Sequence, residues 1–201
     1  MKYPKRFSSL FLLFLLFSCG PSFAQDRDAP LPHKPAPSSA DWIREAILYE
    51  VNLRSFSEEG KFHRLEERLG DLRTIGVTCF LLMPIHPIGE AKRAGALGNP
   101  YSVKDFYGVN LEHGTKDGFK SFIQEVHLAG LKVIMDWAGY GTAWDHPYMK
   151  SNPEWYLKNA SGAVLSPDGS GDVALLDYSN GPLRKTMLGA MIHWIKEYGI
   201  D

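Results

Sequence analysis

The chain has 201 residues, with 22 Lys plus Arg against 23 Asp plus Glu and a formal net charge of −1. That balance supplies no basic patch or stripe for a phosphate backbone, so no nucleic-acid partner is expected. Aromatic residues make up 12%, enough for a packed core or for a site that stacks flat ligands, and the length fits about one domain.

Lys2, Lys5 and Arg6 precede an apolar run over residues 10–17. The run is too short to span a bilayer and reads as a signal peptide over residues 1–24. Two processing routes stay open. Ser22-Phe23-Ala24 places small residues where ordinary signal peptidase reads them, whereas Leu16-Phe17-Ser18-Cys19 resembles a lipoprotein box that would leave Cys19 with a lipid anchor. Either route exports the chain to a periplasmic or extracellular place. Residues 25–40 contain Pro30, Pro32, Pro35 and Pro37 and form a semi-extended linker. With Cys19 removed or acylated, Cys79 is alone in an apolar strand, so the fold rests on its core and not on a disulfide.

The globular part, residues 41–201, starts with a strand read from alternating large apolar and polar residues over 47–54. Phe62, Leu65, Leu69 and Leu72 then recur at helical spacing, and Gly76 closes that helix. Residues 77–83 are a continuous apolar run, as suits a strand buried on both faces of a parallel sheet. A Gly- and Pro-rich irregular segment covers 84–114. A second helix follows from Thr115 to Ala129, with Thr115 as N-cap and Phe119, Phe122, Ile123 and Val126 as its buried stripe. Gly130 ends it, and Leu131-Lys-Val-Ile-Met-Asp136 is a third strand ending in a carboxylate. A long loop over 137–181 leads to a third helix from Pro182, lined by Leu183, Met187, Met191, Trp194, Ile195 and Tyr198. Gly199 terminates it, and Ile200-Asp201 reads as the opening of a further strand.

Strands alternating with amphipathic helices imply crossovers and a parallel sheet, either doubly wound or closed into a barrel. In both, ligands sit at the carboxyl ends of the strands, where the long segments and Asp136 lie. Ser55-Phe-Ser-Glu-Glu-Gly60 has one Gly and two acids and would repel a pyrophosphate, which argues against a dinucleotide fold. His86, His113, His127 and His146 show no zinc spacing, and His127 reads as a surface residue. Asp145-His146 has no Ser in a nucleophile-elbow setting to serve. Trp137, Trp144 and Trp155 divide between packing and lining a groove.

From about Trp42 onward, ordered segments together resemble the α-amylase family, glycoside hydrolase family 13. They are Tyr49-Glu-Val-Asn-Leu-Arg-Ser-Phe56, Gly76-Val-Thr-Cys-Phe-Leu-Leu-Met-Pro84, Pro84-Ile-His-Pro-Ile-Gly89, Pro100-Tyr-Ser-Val-Lys-Asp-Phe-Tyr107, Gly130-Leu-Lys-Val-Ile-Met-Asp136, Trp144-Asp-His-Pro147, Asp172-Val-Ala-Leu-Leu-Asp-Tyr178 and Glu197-Tyr-Gly-Ile-Asp201. The resemblance implies an incomplete (β/α)8 TIM barrel, its first three β-α units, and an exported α-glucan-active hydrolase or transglycosylase. Its substrate would be an α-glucan or maltooligosaccharide, cleaved by a retaining mechanism with two carboxylates. The family's nucleophile, acid/base and third acid lie on strands four, five and seven, which match no residue here. The expectation is therefore a truncated chain that is inactive alone and has no catalytic residue of its own. The alternative is a degenerate, non-catalytic sugar-binding remnant.

Two substrate-binding residues carry over. Tyr101 matches the tyrosine that stacks on the sugar at the cleavage point, and Asp136 the strand-three aspartate that braces the site. The family's Asn-His dipeptide, a calcium ligand and a sugar-binding residue, aligns with Tyr140 and Gly141, and its second calcium acid with Leu175. No metal or other cofactor is therefore expected. Three strands with an open edge and an uncovered inner face over parts of 77–83 and 133–135 also predict non-specific self-association.

Overall fold

The computed structural model describes residues 38–201; the leader, Cys19 and most of the proline-rich segment lie outside the described residues. A short helix, α1 (Asp41–Arg44), precedes β1 (Leu48–Val51). β1 ends three residues before its alternating pattern does. Asn52 takes an extended backbone and its Oδ1 accepts from Arg54 N at 3.1 Å, which caps a helical turn, α2 (Leu53–Phe56). The helix expected over 62–74 is two, α3 (Phe62–Glu66) and α4 (Leu69–Thr74), because Arg68 at φ −108°, ψ 3° leaves the helical region. The break spares the apolar stripe: Phe62, Leu65, Leu69 and Leu72 are all buried.

β2 (Cys79–Leu82), α5 (Lys116–Leu128) and β3 (Lys132–Met135) follow the sequence reading closely. Thr115 Oγ1 caps α5 by accepting from Gly118 N at 3.0 Å. Gly76 (φ 98°) and Gly130 (φ 77°) reverse the chain between helix and strand in the left-handed region, where a side chain would be strained. The strands form one parallel sheet in the order β1-β2-β3. Tyr49, Phe80 and Val133 lie in one row, Val51, Leu82 and Met135 in another. This face packs under the helices in a core that also holds Phe119, Phe122 and Ile123. Each fully buried side chain of this size contributes roughly 1.5–3 kcal/mol by leaving water.

The opposite face is more open. Leu48 is 53% exposed and Glu50 is exposed, while Leu81 and Ile134 are half-buried. Val77, Phe80 and Val133 do not contribute to it, since they pack on the helix side. Cys79, on the central strand, is a buried free thiol.

The segment 137–181 is more ordered than a loop. β4 (Gly141–Ala143) pairs antiparallel with β5 (Val173–Leu175), with α6 (Tyr148–Ser151) between them. Phe106, Trp155, Ala174, Leu183 and Met187 make a second buried cluster there. Asn180 caps α7 (Gly181–His193) by accepting from Leu183 N at 3.1 Å. Leu183, Met187, Ala190 and Trp194 form its buried row, whereas Met191 and Ile195 face outward with Leu188 and Ile192. Leu183, Met187 and Trp194 thus keep the row read from sequence, while Met191 and Ile195 leave it and Ala190 joins it. A π turn over Trp194–Tyr198 closes α7 and stacks the Trp194 and Tyr198 rings, with centroids 4.8 Å apart and planes at 27°.

Ile200–Asp201 returns to the edge of β3. Asp201 N donates to Val133 O at 2.9 Å, and its carboxylate accepts from Val133 N (3.0 Å), Lys132 Nζ (2.6 Å) and His127 Nε2 (2.8 Å). Burial pushes this carboxyl up, but the donors from Lys132, Val133 and His127 outweigh burial and hold it below the usual aspartate range. A depressed folded pKa gives stability that is present above the unfolded value, about 4, and is lost as pH falls through the folded one. Asp201→Asn is therefore expected to lower the melting temperature at pH 7 by about 2–4 °C, the shift for a loss of about 1 kcal/mol in a chain of this size. Melts followed by circular dichroism should converge with wild type as the pH falls below the usual aspartate value and the carboxyl becomes protonated in the folded state too. A gap that persists there would refute the charge origin of the clamp.

Candidate functional site

The carboxyl ends of β1, β2 and β3 open onto two long segments that are tied to each other. In the first, Ile88 and Val103 form a bridge, Gly89 N donates to Ser102 O (3.0 Å) and Asn110 N donates to Ile85 O (2.8 Å). The segment is joined to the second by Ser102 Oγ, which donates to Asp172 O at 2.8 Å in a buried setting. Asn99 Oδ1 accepts from Tyr101 N at 3.0 Å and sets the turn that presents Tyr101.

Asp136 continues the sheet past β3, since its N–H donates to Leu82 O at 2.8 Å. Tyr101 and Asp136, read separately from the sequence, meet here: the Tyr101 hydroxyl donates to Asp136 Oδ2 at 2.6 Å. That bond is the main cause that pushes the Tyr101 hydroxyl up to about 12, with burial next and the charges of Asp136, Glu50 and Tyr140 adding to it. The phenol therefore stays protonated as a donor through the whole physiological range. A half-buried aromatic ring beside a carboxylate acceptor offers what a sugar needs, an apolar face and a hydrogen-bond partner at its edge.

Other groups hold this frame. Arg54 makes a two-point ion pair with Glu112, at 2.6 Å through each oxygen, and donates to Leu97 O (2.8 Å) and Gly98 O (3.2 Å). The side-chain hydrogen bond raises Arg54 and lowers Glu112. Lys104 pairs with Asp145 at 3.0 Å, and Asp145 also accepts from Glu90 N at 3.1 Å, so the two segments are linked by charge as well. Nothing in residue spacing foretold these pairs.

His86, His113 and His146 are buried and take part in packing or in bonds to the backbone. His86 is buried between Phe106, Trp137 and Trp194, and burial drives it down to about 4. Burial likewise takes His146 to about 4, and its Nδ1 accepts from Tyr148 N at 3.0 Å. With Asp145 engaged by Lys104, Asp145 and His146 form no dyad. His113 Nδ1 bonds Gly60 O at 2.8 Å, and His127 is on the surface. Trp155 is buried and Trp137 packs against both cores, while Trp144 lies under Lys92, whose Nζ is 3.2 Å from the ring centroid.

Gly141 pairs with Leu175 in the β4–β5 ladder and Leu176 N donates to Tyr140 O at 3.1 Å, which brings together Tyr140 and Leu175, the positions that the resemblance assigns to calcium ligands. They carry a phenol at Tyr140 and an isobutyl group at Leu175. The nearby Asp172 has a buried Oδ2 without a hydrogen-bond partner, but one carboxylate oxygen does not make the six to eight oxygen ligands of a calcium site. No group of three or more metal-ligating acids, histidines or cysteines exists among the described residues.

Residues 31–153 match the family model "Alpha amylase, catalytic domain". The chain is 27% identical over 180 residues to the alpha-1,4-glucan:maltose-1-phosphate maltosyltransferase of Myxococcus xanthus, covering 77% of this chain and 27% of that protein. Among solved structures it resembles an alpha-amylase from Lactobacillus plantarum (33% identity, TM-score 0.73, 78% of this chain and 37% of that one). It also resembles a noncanonic maltogenic alpha-amylase from Thermotoga neapolitana (37% identity, TM-score 0.74, 79% and 38%). The chain spans about a fifth to a quarter of the length of the curated relatives it matches.

Gly141 is a tight point of the frame, closed by main chain. A Cβ there would stand 2.5 Å from Val173 Cγ1 and 2.7 Å from Ala174 O, and the second of these is backbone that cannot swing aside. Gly141→Ala is expected to cost about 1–3 kcal/mol, as overpacking does. Urea unfolding should show this as a lower midpoint, and a variant as stable as wild type would contradict the close approach of β5.

Proposed function

The chain belongs to the alpha-amylase family, and from that premise we propose that its site binds an α-glucan or maltooligosaccharide as part of an α-glycosidic hydrolase or transglycosylase. The Tyr101–Asp136 pair at the carboxyl end of the parallel sheet carries this reading. Tyr101 offers its ring to the C–H face of a glucose unit, and Asp136 accepts at the ring's edge. Binding displaces neither group, because the phenol is already turned to the carboxylate and fixed by it.

The family's reaction needs one carboxylate to attack the anomeric carbon and another to protonate the leaving oxygen and later activate water. No residue among the 201 matches either of them, so the polypeptide as given supplies binding without bond cleavage. Purified and free of host amylase, it is expected to release no reducing sugar from starch, maltodextrin, pullulan or trehalose. Release above buffer would overturn this. A second reading, a sugar-binding remnant without catalysis in any context, draws support from Tyr140 and Gly141 standing in place of the Asn-His pair. Joining this chain to strands four to eight of the Thermotoga neapolitana enzyme separates the two, since turnover by the chimera excludes the remnant.

The same residues lead us to propose a calcium-independent fold, in which backbone hydrogen bonds of the β4–β5 ladder tie the segments that a cation would otherwise join. Thermal melts in excess calcium and in chelator should then coincide. A rise of several degrees with calcium would count against the proposal, since binding to the folded state alone stabilises it.

A further inference from the structure

Residues 90–97 are all exposed, so no buried side chain holds this stretch in place. Charged groups hold it instead. At its first foot Glu90 N donates to Asp145 Oδ2 (3.1 Å), and Lys104 reaches both Asp145 (3.0 Å) and Glu90 (3.7 Å). Gly89 lies against the same carboxylate, where a Cβ would stand 2.6 Å from Asp145 Oδ1. At its second foot Arg54 donates to the carbonyls of Leu97 and Gly98. Arg93 spans the two feet, donating to Gly89 O (3.4 Å) and to Leu97 O (2.9 Å).

Between the feet, Lys92 has φ 56°, the one non-glycine with a positive φ among the described residues. A side chain in the left-handed region is strained, and a lysine has no amide or carboxylate with which to ease it. Such strain persists only where the surroundings hold it. Here the Lys92 ammonium lies 3.2 Å from the ring centroid of Trp144, the neighbour of Asp145 in sequence. Opening relieves the backbone, and the cation on the indole keeps the stretch shut, so the two effects oppose each other at one residue.

We propose that residues 90–98 are a strap, latched by Lys92 on Trp144 and released by ionic strength, whose latched state holds the Tyr101 turn in place. The link to Tyr101 is short. The second foot leads directly into Asn99, whose side chain accepts from Tyr101 N, and Arg54 grips the carbonyl just before it. Salt screens the exposed charges of the first foot. The Arg54–Glu112 pair is more sheltered and is screened less, so the Lys92 end lets go first. Binding of a sugar then depends on salt although the sugar is uncharged, a consequence that rests on the glucan reading of the site.

Trypsin supplies the test, since it cuts after Arg93 only as that segment opens locally. The 201-residue protein, Lys92→Met and Asp145→Asn are compared in about 20 mM and about 500 mM NaCl. A free peptide of residues 88–99 controls for the effect of salt on the protease, and circular dichroism melts confirm that the variants fold. Wild-type cleavage after Arg93, relative to the peptide, should rise about fivefold or more at the higher salt, and both variants should already be cut fast at the lower one. Calorimetric maltotriose binding by the wild type should weaken about threefold or more over the same step, and Lys92→Met should bind weakly at both salts. Cleavage that ignores salt, or variants cut no faster than wild type, overturns the strap. Salt-dependent cleavage with unchanged maltotriose affinity overturns its hold on Tyr101. A wild type that binds no maltotriose at either salt overturns the glucan reading and that hold together, while cleavage still decides whether the strap exists.

Discussion

One indole joins the parts of this molecule. Trp194 is 1% exposed, and its Nε1 donates to Phe106 O at 2.7 Å. Its ring packs on Phe119 from the sheet core and on His86 from the segment after β2. Phe106, to which it bonds, belongs to the second cluster under β4 and β5. A buried tryptophan of this kind contributes about 3–5 kcal/mol as judged by truncation. Without it the two cores would share little beyond the Trp137 edge, and the segments that carry Tyr101 and Asp136 would lose their common support. His86 completes the junction only as a neutral ring, which is why burial and not a charged partner sets its protonation.

Around that junction the polar links differ in weight. Arg64 pairs with Glu59 and Glu67 on the exposed side of α3, where solvent screening leaves each pair little net effect. Arg54 is more sheltered, meets Glu112 at two points and also satisfies two carbonyls of the 97–98 turn. A guanidinium suits this because its fixed fork can serve a carboxylate and a turn at once. The electrostatics here fix loop geometry more than they add to stability.

The elements that sequence conveys well are those set by local pattern. The cap at Thr115, the start of α7 beside Pro182, the glycines at 76 and 130 and the stripes of α5 and β2 follow from local pattern. What failed was non-local. β4 and β5 are three residues each, too short to show alternation, and they exist because positions 141 and 175 find one another across the chain. The outward turn of Met191 and Ile195 reflects which side of α7 the second core occupies, which no window on that helix contains. Tyr101 and Asp136 are 35 residues apart, and their bond was not legible in either segment. Likeness to a family singled out the two residues, and only the fold put one against the other.

The close approach of β5 to Gly141 also bears on how this loop can change over evolutionary time. With a main-chain oxygen standing where a first side-chain carbon would go, the position is locked by its neighbour strand and not by its own role. Any larger residue must wait until 173–175 have shifted, yet that strand is itself seated on the second core. The side chain at 141 and the path of 173–175 are therefore coupled, and a residue larger than glycine fits this turn only where that strand runs elsewhere.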